Sequence, residues 1–186
     1  MGVSMNEQVF AVFTAIGPDR VGIVDDVSGL VAGQGGNIEE SKMAVLGGEF
    51  AAVMLVAMTQ EKLAALGSSL PARQMELGLR LELKPTRKQE TSKVGRPYLL
   101  ETVSLDTSGI VHAVTAVIKA HGINIEELET STQPAPWTGA PMFRMKATLI
   151  IGAQVSVARL KTDLAHLESD RDLDITLKPA IPGAQE

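Results

Sequence analysis

The chain of 186 residues contains no cysteine. A disulfide framework, a thiol nucleophile and a cysteine-ligated zinc site are therefore all excluded. Aromatic residues make up only 3% of the chain while hydrophobic residues make up 45%, so any core must be aliphatic. The three histidines, His112, His121 and His166, are scattered and meet no pattern of converging Asp or Glu, so no metal is expected. No serine sits in a Gly-x-Ser-x-Gly elbow, and no glycine-rich turn runs into the Lys-Ser/Thr of a phosphate loop. The reading is of a non-enzyme, with no catalytic residue and no cofactor. Positive charge is also short: the formal net charge is −5. That argues against direct binding to nucleic acid and against an anionic membrane surface. No apolar run approaches the ~20 residues of a membrane helix. Met1–Glu7 lacks the basic-then-apolar pattern of a signal peptide, so the expected location is cytoplasmic.

What the chain does have is a repeat. Ile16–Gly17–Pro18–Asp19–Arg20–Val21–Gly22–Ile23–Val24, running on to Gly35–Gly36–Asn37–Ile38, reads as strand, turn, amphipathic helix and second strand. Glycine and proline punctuate the extended run at Gly17–Pro18. Ile23, Val24, Val27, Leu30 and Val31 then fall on one face at helical period. At a constant offset of 87 residues, Asp106–Thr107–Ser108–Gly109–Ile110–Val111 opens a second such helix, which ends at Gly122 before Asn124–Ile125–Glu126–Glu127. Gly22 and Gly109, Ile23 and Ile110, Val27 and Val114, and Asn37 and Asn124 are among the identical pairs.

Each half continues alike. In the first, strands are expected over 8–16, 37–45, 50–58 and 79–84, with helices over 21–34 and 60–70, the latter interrupted by Pro71. Leu46–Gly47–Gly48–Glu49 is a hairpin turn. The second half repeats the order, with an enlarged, proline-rich hairpin at Gln133–Pro141 that holds the single tryptophan, Trp137. Trp137 either anchors a partner or folds back on its own loop. The expected domains are 1–85 and 97–186, joined by a polar linker over 86–96. Each is βαββαβ, an α+β ferredoxin-like plan with an antiparallel sheet and both helices on one face. A domain that small buries only about 60% of its unfolded surface, which favours pooled cores or a homodimer.

The string Gly17–Pro18–Asp19–Arg20–Val21–Gly22–Ile23–Val24, with Gly36–Asn37–Ile38 and Gly47–Gly48–Glu49–Phe50, resembles the ACT domain. The second half resembles one too, although Asp106–Thr107–Ser108–Gly109 lacks the arginine and proline of the first turn. Two such domains with almost nothing else resemble the glycine cleavage system transcriptional repressor family, over about Val9–Pro179. The resemblance implies a regulatory protein that binds a small amino acid, possibly glycine, and represses transcription by contacting an activator protein. The alternative it leaves is a stand-alone amino-acid sensor regulating a metabolic enzyme. It also implies the ligand residues. Asp19, Arg20, Val21, Gly22 and Ile23, with Asn37 and Ile38 across, form the first site. Asp106, Thr107, Ser108, Gly109, Ile110, Asn124 and Ile125 form the second.

The residues themselves admit two readings of the turn. A helix N-terminus offers N–H groups and a positive dipole end to a carboxylate, with Arg20 and Asp19 placed for the two charges of an amino acid. Equally, Asp19 could cap the helix and Gly22 could serve helix–strand packing. The adjacent carboxylates Glu39–Glu40 and Glu126–Glu127 point to opposite faces of a strand, which suits a solvated edge better than a metal or an acid–base pair. The third strand of the first half is apolar on both faces: Ala51, Val53, Leu55 and Ala57 alternate with Phe50, Ala52, Met54 and Val56. Such a strand is expected to be covered on both sides, by the second domain or by another subunit.

Overall fold

The computed structural model describes residues 8–88 and 94–180. The chain divides into two compact units, Met1–Glu90 and Thr91–Glu186. The first contains β1 (Gln8–Pro18), α1 (Ile23–Gly33), β2 (Asn37–Leu46), β3 (Glu49–Thr59), α2 (Gln60–Leu77) and β4 (Arg80–Thr86). The second contains β5 (Arg96–Leu105), α3 (Ile110–Ala120), β6 (Asn124–Pro134), β7 (Pro141–Ile151), α4 (Val157–Arg171) and β8 (Asp174–Pro179). Both are βαββαβ. The sheets have the orders β2-β3-β1-β4 and β6-β7-β5-β8, and every neighbouring pair is antiparallel.

Alternation decides which side chains meet the helices. Ala11, Phe13 and Ala15 of β1 and Phe50, Ala52, Met54 and Val56 of β3 are buried against Ile23, Val27 and Val31 of α1 and Leu63, Leu66 and Leu70 of α2. The second unit repeats this with Leu100, Phe143, Met145, Ala147 and Leu149 against Ile110, Val114, Ile118, Leu160 and Leu164. Helices α1 and α3 end alike. Gly35 at φ 64° and Gly122 at φ 66° take the left-handed conformation. The next residues, Gly36 and Ile123, then return an N–H to the Val31 and Ile118 carbonyls, closing the last turn. Gly47 and Gly48, at φ 62° and 86°, supply the two positive dihedrals of a tight β2–β3 hairpin.

Three expectations are corrected. Gly17 and Pro18 do not interrupt β1; they pair with Phe50 and Glu49 at its end. Glycine is needed at 17 because a Cβ there would lie 2.7 Å from Leu79 Cδ2. Pro71 lies inside α2 and does not end it. A proline within a helix costs about 3 kcal/mol, offset here by Leu63, Leu66 and Leu70 buried before it and Leu77 packed on the core after it. Helix α1 begins at Ile23 rather than Val21, because Gly22 stands before it at φ 85°. Of the expected linker over 86–96, Thr86 belongs to β4 and Arg96 to β5, and residues 89–93 lie outside the described residues, as do Met1–Glu7 and the tail from Ile181.

The duplicated cores differ at one polar point. At the positions of Phe13, Ala15 and Gly17 the second unit has Leu100, Thr102 and Ser104. The Ser104 hydroxyl donates to the Leu105 carbonyl at 3.0 Å, but the fully buried Thr102 hydroxyl has no hydrogen-bond partner among the described residues. A buried hydroxyl left unpaired costs about 1–3 kcal/mol. Thr102→Val keeps the shape and removes the hydroxyl. It should raise the stability of the second unit by about 1–2 kcal/mol, measured by urea unfolding followed at second-unit amides by NMR. A lowered midpoint would show that the hydroxyl is satisfied in solution.

Candidate functional site

The turn Asp19–Gly22 is built by its two flanks. The Asp19 N–H donates to the Gly48 carbonyl at 2.9 Å, which ties the turn to the β2–β3 hairpin. Gly22 then reverses the chain into α1, and no side chain caps that helix. The reading of Asp19 as helix cap is therefore wrong. So is the packing role for Gly22, since a Cβ there would meet nothing within 4 Å. Glycine is required for its φ of 85°, a conformation that costs other residues roughly 1–2 kcal/mol.

Above the turn lies an open recess of about 390 Å³. Asp19, Arg20, Gly22 and Ile23 form one wall with Val24; Met43, Ala44, Val45 and Phe50 form the other. The Arg20 guanidinium reaches back to Asp26 in the first turn of α1, Nη1 to Oδ2 at 2.7 Å, and both side chains stay partly exposed. An uncapped helix N-terminus, a guanidinium and a carboxylate thus edge an apolar recess. Such a setting suits a small zwitterion with its carboxylate towards the helix and Arg20.

Of the expected first-site residues, the structure brings Asp19, Arg20, Gly22 and Ile23 to this recess. Val21 is 99% exposed and does not line it. Asn37 and Ile38 lie at the opposite end of β2, paired with Ala57 and Val56, whereas the turn sits beside Leu46 and Glu49. The reason is geometric: β1 and β2 run in the same direction, so the chain reaches the turn again only at the C-terminal end of β2. Met43, Ala44 and Val45 complete the wall, and nothing in the sequence motif points to them. The only signal in the sequence is the apolar run Met43–Leu46 directly before the Gly47–Gly48 turn.

In the second unit the same backbone recurs: Gly109 at φ 86° before α3, and the Asp106 N–H donating to the Pro141 carbonyl at 2.9 Å. The surroundings differ. The Thr132 hydroxyl donates to the Asp106 carboxylate at 3.3 Å. Arg171, from the last turn of α4, brings Nη1 to 3.7 Å from where a Cβ on Gly109 would stand. Thr107, Ser108 and Ile110 are at the turn with them, while Asn124 and Ile125 are at the far end of β6, paired with Ile150 and Leu149. Trp137 is 98% exposed and does not fold back on its loop.

Similarity to known proteins agrees with this architecture. The ACT domain family profile matches residues 10–84. The glycine cleavage system transcriptional repressor of Escherichia coli strain K12 is 30% identical over 159 residues, which is 86% of this chain and 84% of that protein. The chain belongs to the glycine cleavage system transcriptional repressor family. The Shigella flexneri protein of the same name matches over the same extent. The crystal structure of an unknown protein from Galdieria sulphuraria superimposes with a TM-score of 0.77 at 35% identity, covering 94% of this chain and all of that one. In this family member no group of three or more His, Asp or Glu among the described residues could hold a metal ion. No described helix is long and apolar enough to cross a membrane.

Asn37 has a role of its own, away from the recess. Its side-chain amide donates to Glu39 at 2.9 Å, and Lys88 Nζ reaches the other Glu39 oxygen at 2.7 Å. Hydrogen bonds from Lys88 and then Asn37 hold the Glu39 carboxyl below the ordinary glutamate value, and Glu39 in turn holds the Lys88 ammonium above the ordinary lysine value. The pair therefore favours the folded state between those two titrations. Its contribution is lost as pH falls through the lowered Glu39 value, or rises through the raised Lys88 value. Lys88 is exposed and Glu39 half-buried at the surface, so solvent and salt weaken the effect. Lys88→Ala should return Glu39 towards the ordinary carboxylate range in an NMR pH titration of side-chain carboxyls. An unmoved titration would show that the pair does not form in solution.

Proposed function

We propose that this protein is a non-catalytic regulator that binds a small amino acid at the first-unit turn and represses transcription through contact with an activator protein. The observation that carries the reading is the recess itself: an uncapped helix start behind Gly22, with Arg20 and Asp19 at its edge. The family supports the regulatory part, its Escherichia coli member being named as the glycine cleavage system transcriptional repressor. The formal net charge of −5 supports action through a protein rather than by direct contact with DNA. Glycine is the first ligand to test. The apolar wall of Val24, Met43 and Val45 leaves room for a short side chain beyond it.

The test is a thermal-shift and calorimetry series with glycine, alanine and serine. A ligand at about 100 times its dissociation constant should stabilise the protein by about 2.7 kcal/mol. Gly22→Asp puts a carboxylate where the ligand's carboxylate must sit. The mutant should still fold, because the space is open and aspartate tolerates positive φ better than most residues. Binding should fall at least about tenfold, a loss of roughly 1.4 kcal/mol. Undiminished binding would place the ligand elsewhere.

A further inference from the structure

The two sheets share a topology but differ on the faces turned away from the helices. On β7 that face carries Arg144, Lys146 and Thr148, and Glu101 of β5 pairs across to Lys178 of β8 at 3.0 Å. On β3 it carries Ala51, Val53, Leu55 and Ala57, beside Phe10, Val12, Thr14 and Ile16 of β1. One end of this apolar face is covered by its own chain. Lys88, just beyond β4, passes over the Phe10 ring at 5.5 Å to reach Glu39 on β2, and Ala57 between them is 2% exposed. Elsewhere the face is accessible: Val53 is 53% exposed and Ile16 49%, with Ala51, Leu55, Val12 and Thr14 half-buried between them.

The rim of the open part is charged in a definite pattern. Along one row of paired residues the outer face reads Glu40, Leu55, Val12, Lys84; along the next it reads Lys42, Val53, Thr14, Glu82. Each row thus ends in opposite charges, and the two rows run in opposite senses. The four corners form an alternating square. A two-fold axis in the plane of the contact, whether along the strands or across them, lays every corner on one of opposite sign. With the axis along the strands, Glu40 faces the partner's Lys84, Lys42 faces the partner's Glu82, and β3 lies over the partner's β1. Sheets packed face to face keep their strands nearly aligned, which both axes satisfy. The next row on the same face is Ala44, Ala51, Ile16 and Arg80, and the Arg80 guanidinium pairs with Glu82 of its own strand at 2.6 Å, so that corner is held in position but partly offset in charge.

We infer that the outer face of the first-unit sheet is the contact through which two copies of this chain form a homodimer, its apolar rows at the centre and its charge square at the rim. The occupant is a second copy because the rim complements itself. The inference does not depend on the amino-acid ligand, whose recess lies on the helix side of the sheet.

The test is sedimentation equilibrium of the full chain with two rim variants, Lys42→Glu/Lys84→Glu and Glu40→Lys/Glu82→Lys. The wild type should be a dimer. Each variant alone places like charges at all four corners, a penalised arrangement, and should self-associate at least about tenfold more weakly. Mixed together, the two should form a heterodimer, since opposite charges again face each other. Val53→Lys should also weaken the dimer; if that variant fails to fold, the rim variants, altered only at exposed positions, still decide. A wild type that stays monomeric, or a dimer indifferent to the rim variants, would overturn the proposal. Ligand calorimetry on the same variants separates the two readings, because glycine binding should survive loss of the dimer.

Discussion

The packing of two helices on one face of each four-stranded sheet is the contact on which the rest depends. It buries Phe13, Met54 and Leu66 in one unit and Leu100, Met145, Leu149 and Leu160 in the other. Alternation along the strands then has a direction: one side chain in two is committed to the helices, and the next is left for whatever lies beyond the sheet. The same contact dictates the turn. Helix α1 must start directly over the C-terminal end of β1, and only four residues connect them. A chain that reverses in so short a span needs a positive φ, and Gly22 supplies it. The uncapped helix start is a consequence of the packing, and the recess inherits it.

Much of this was legible before the structure. The constant offset between the halves, the positive-φ glycines of the hairpin and the helix ends, and the apolar stripe of Ile23, Val27 and Val31 are local patterns, and local patterns survive folding. The residues that misled are those whose meaning is set by distant neighbours. Gly17 looks like a turn residue, yet it is a strand residue lying against Leu79. Pro71 looks like a helix stop, yet leucines on both sides of it hold α2 to the core. Asn37 and Ile38 follow the helix in sequence and so seem to lie near its start. An 11-residue helix carries the chain about 16 Å away first. Arg171 near Gly109, and Lys88 on Glu39 across 49 residues, have no signature in the sequence at all.

Duplication makes the chain its own control. Backbone geometry is held: Gly22 and Gly109 differ by one degree in φ, and both preceding turns are tied to the following hairpin by the same N–H. The side chains around it are not held. Arg20 becomes Thr107, Met43 becomes Thr130 and Val45 becomes Thr132. In the second unit the hydroxyl of Thr132 reaches the Asp106 carboxylate, so that turn satisfies itself with its own polar groups. In the first unit the corresponding wall is apolar and offers nothing to Asp19. At the polar end of the first recess Arg20 pairs with Asp26 of α1, and no wall residue hydrogen-bonds the Asp19 carboxylate.

The same divergence runs through the sheets. Where the second unit spends its outer face on Arg144, Lys146 and Glu101, the first keeps Val53, Leu55 and Val12 and moves its charges to the edge strands. An isolated domain gains nothing from that exchange, since an exposed valine beside a half-buried leucine on a central strand invites non-specific association. Edge charges laid out as an alternating square disfavour stacking that sets like corners together and suit the two-fold stacks that set opposite corners together. By crossing one end of the sheet Lys88 and Glu39 cover the part of the apolar face around Phe10 and Ala57, on one side of the square; on its other side the row of Ala51 and Ile16 stays open. Among the described residues the first unit thus has an apolar recess on the helix side and an accessible apolar face behind it. At the equivalent places the second unit has polar side chains, Thr132 on Asp106 at the turn and Lys178 on Glu101 on the sheet.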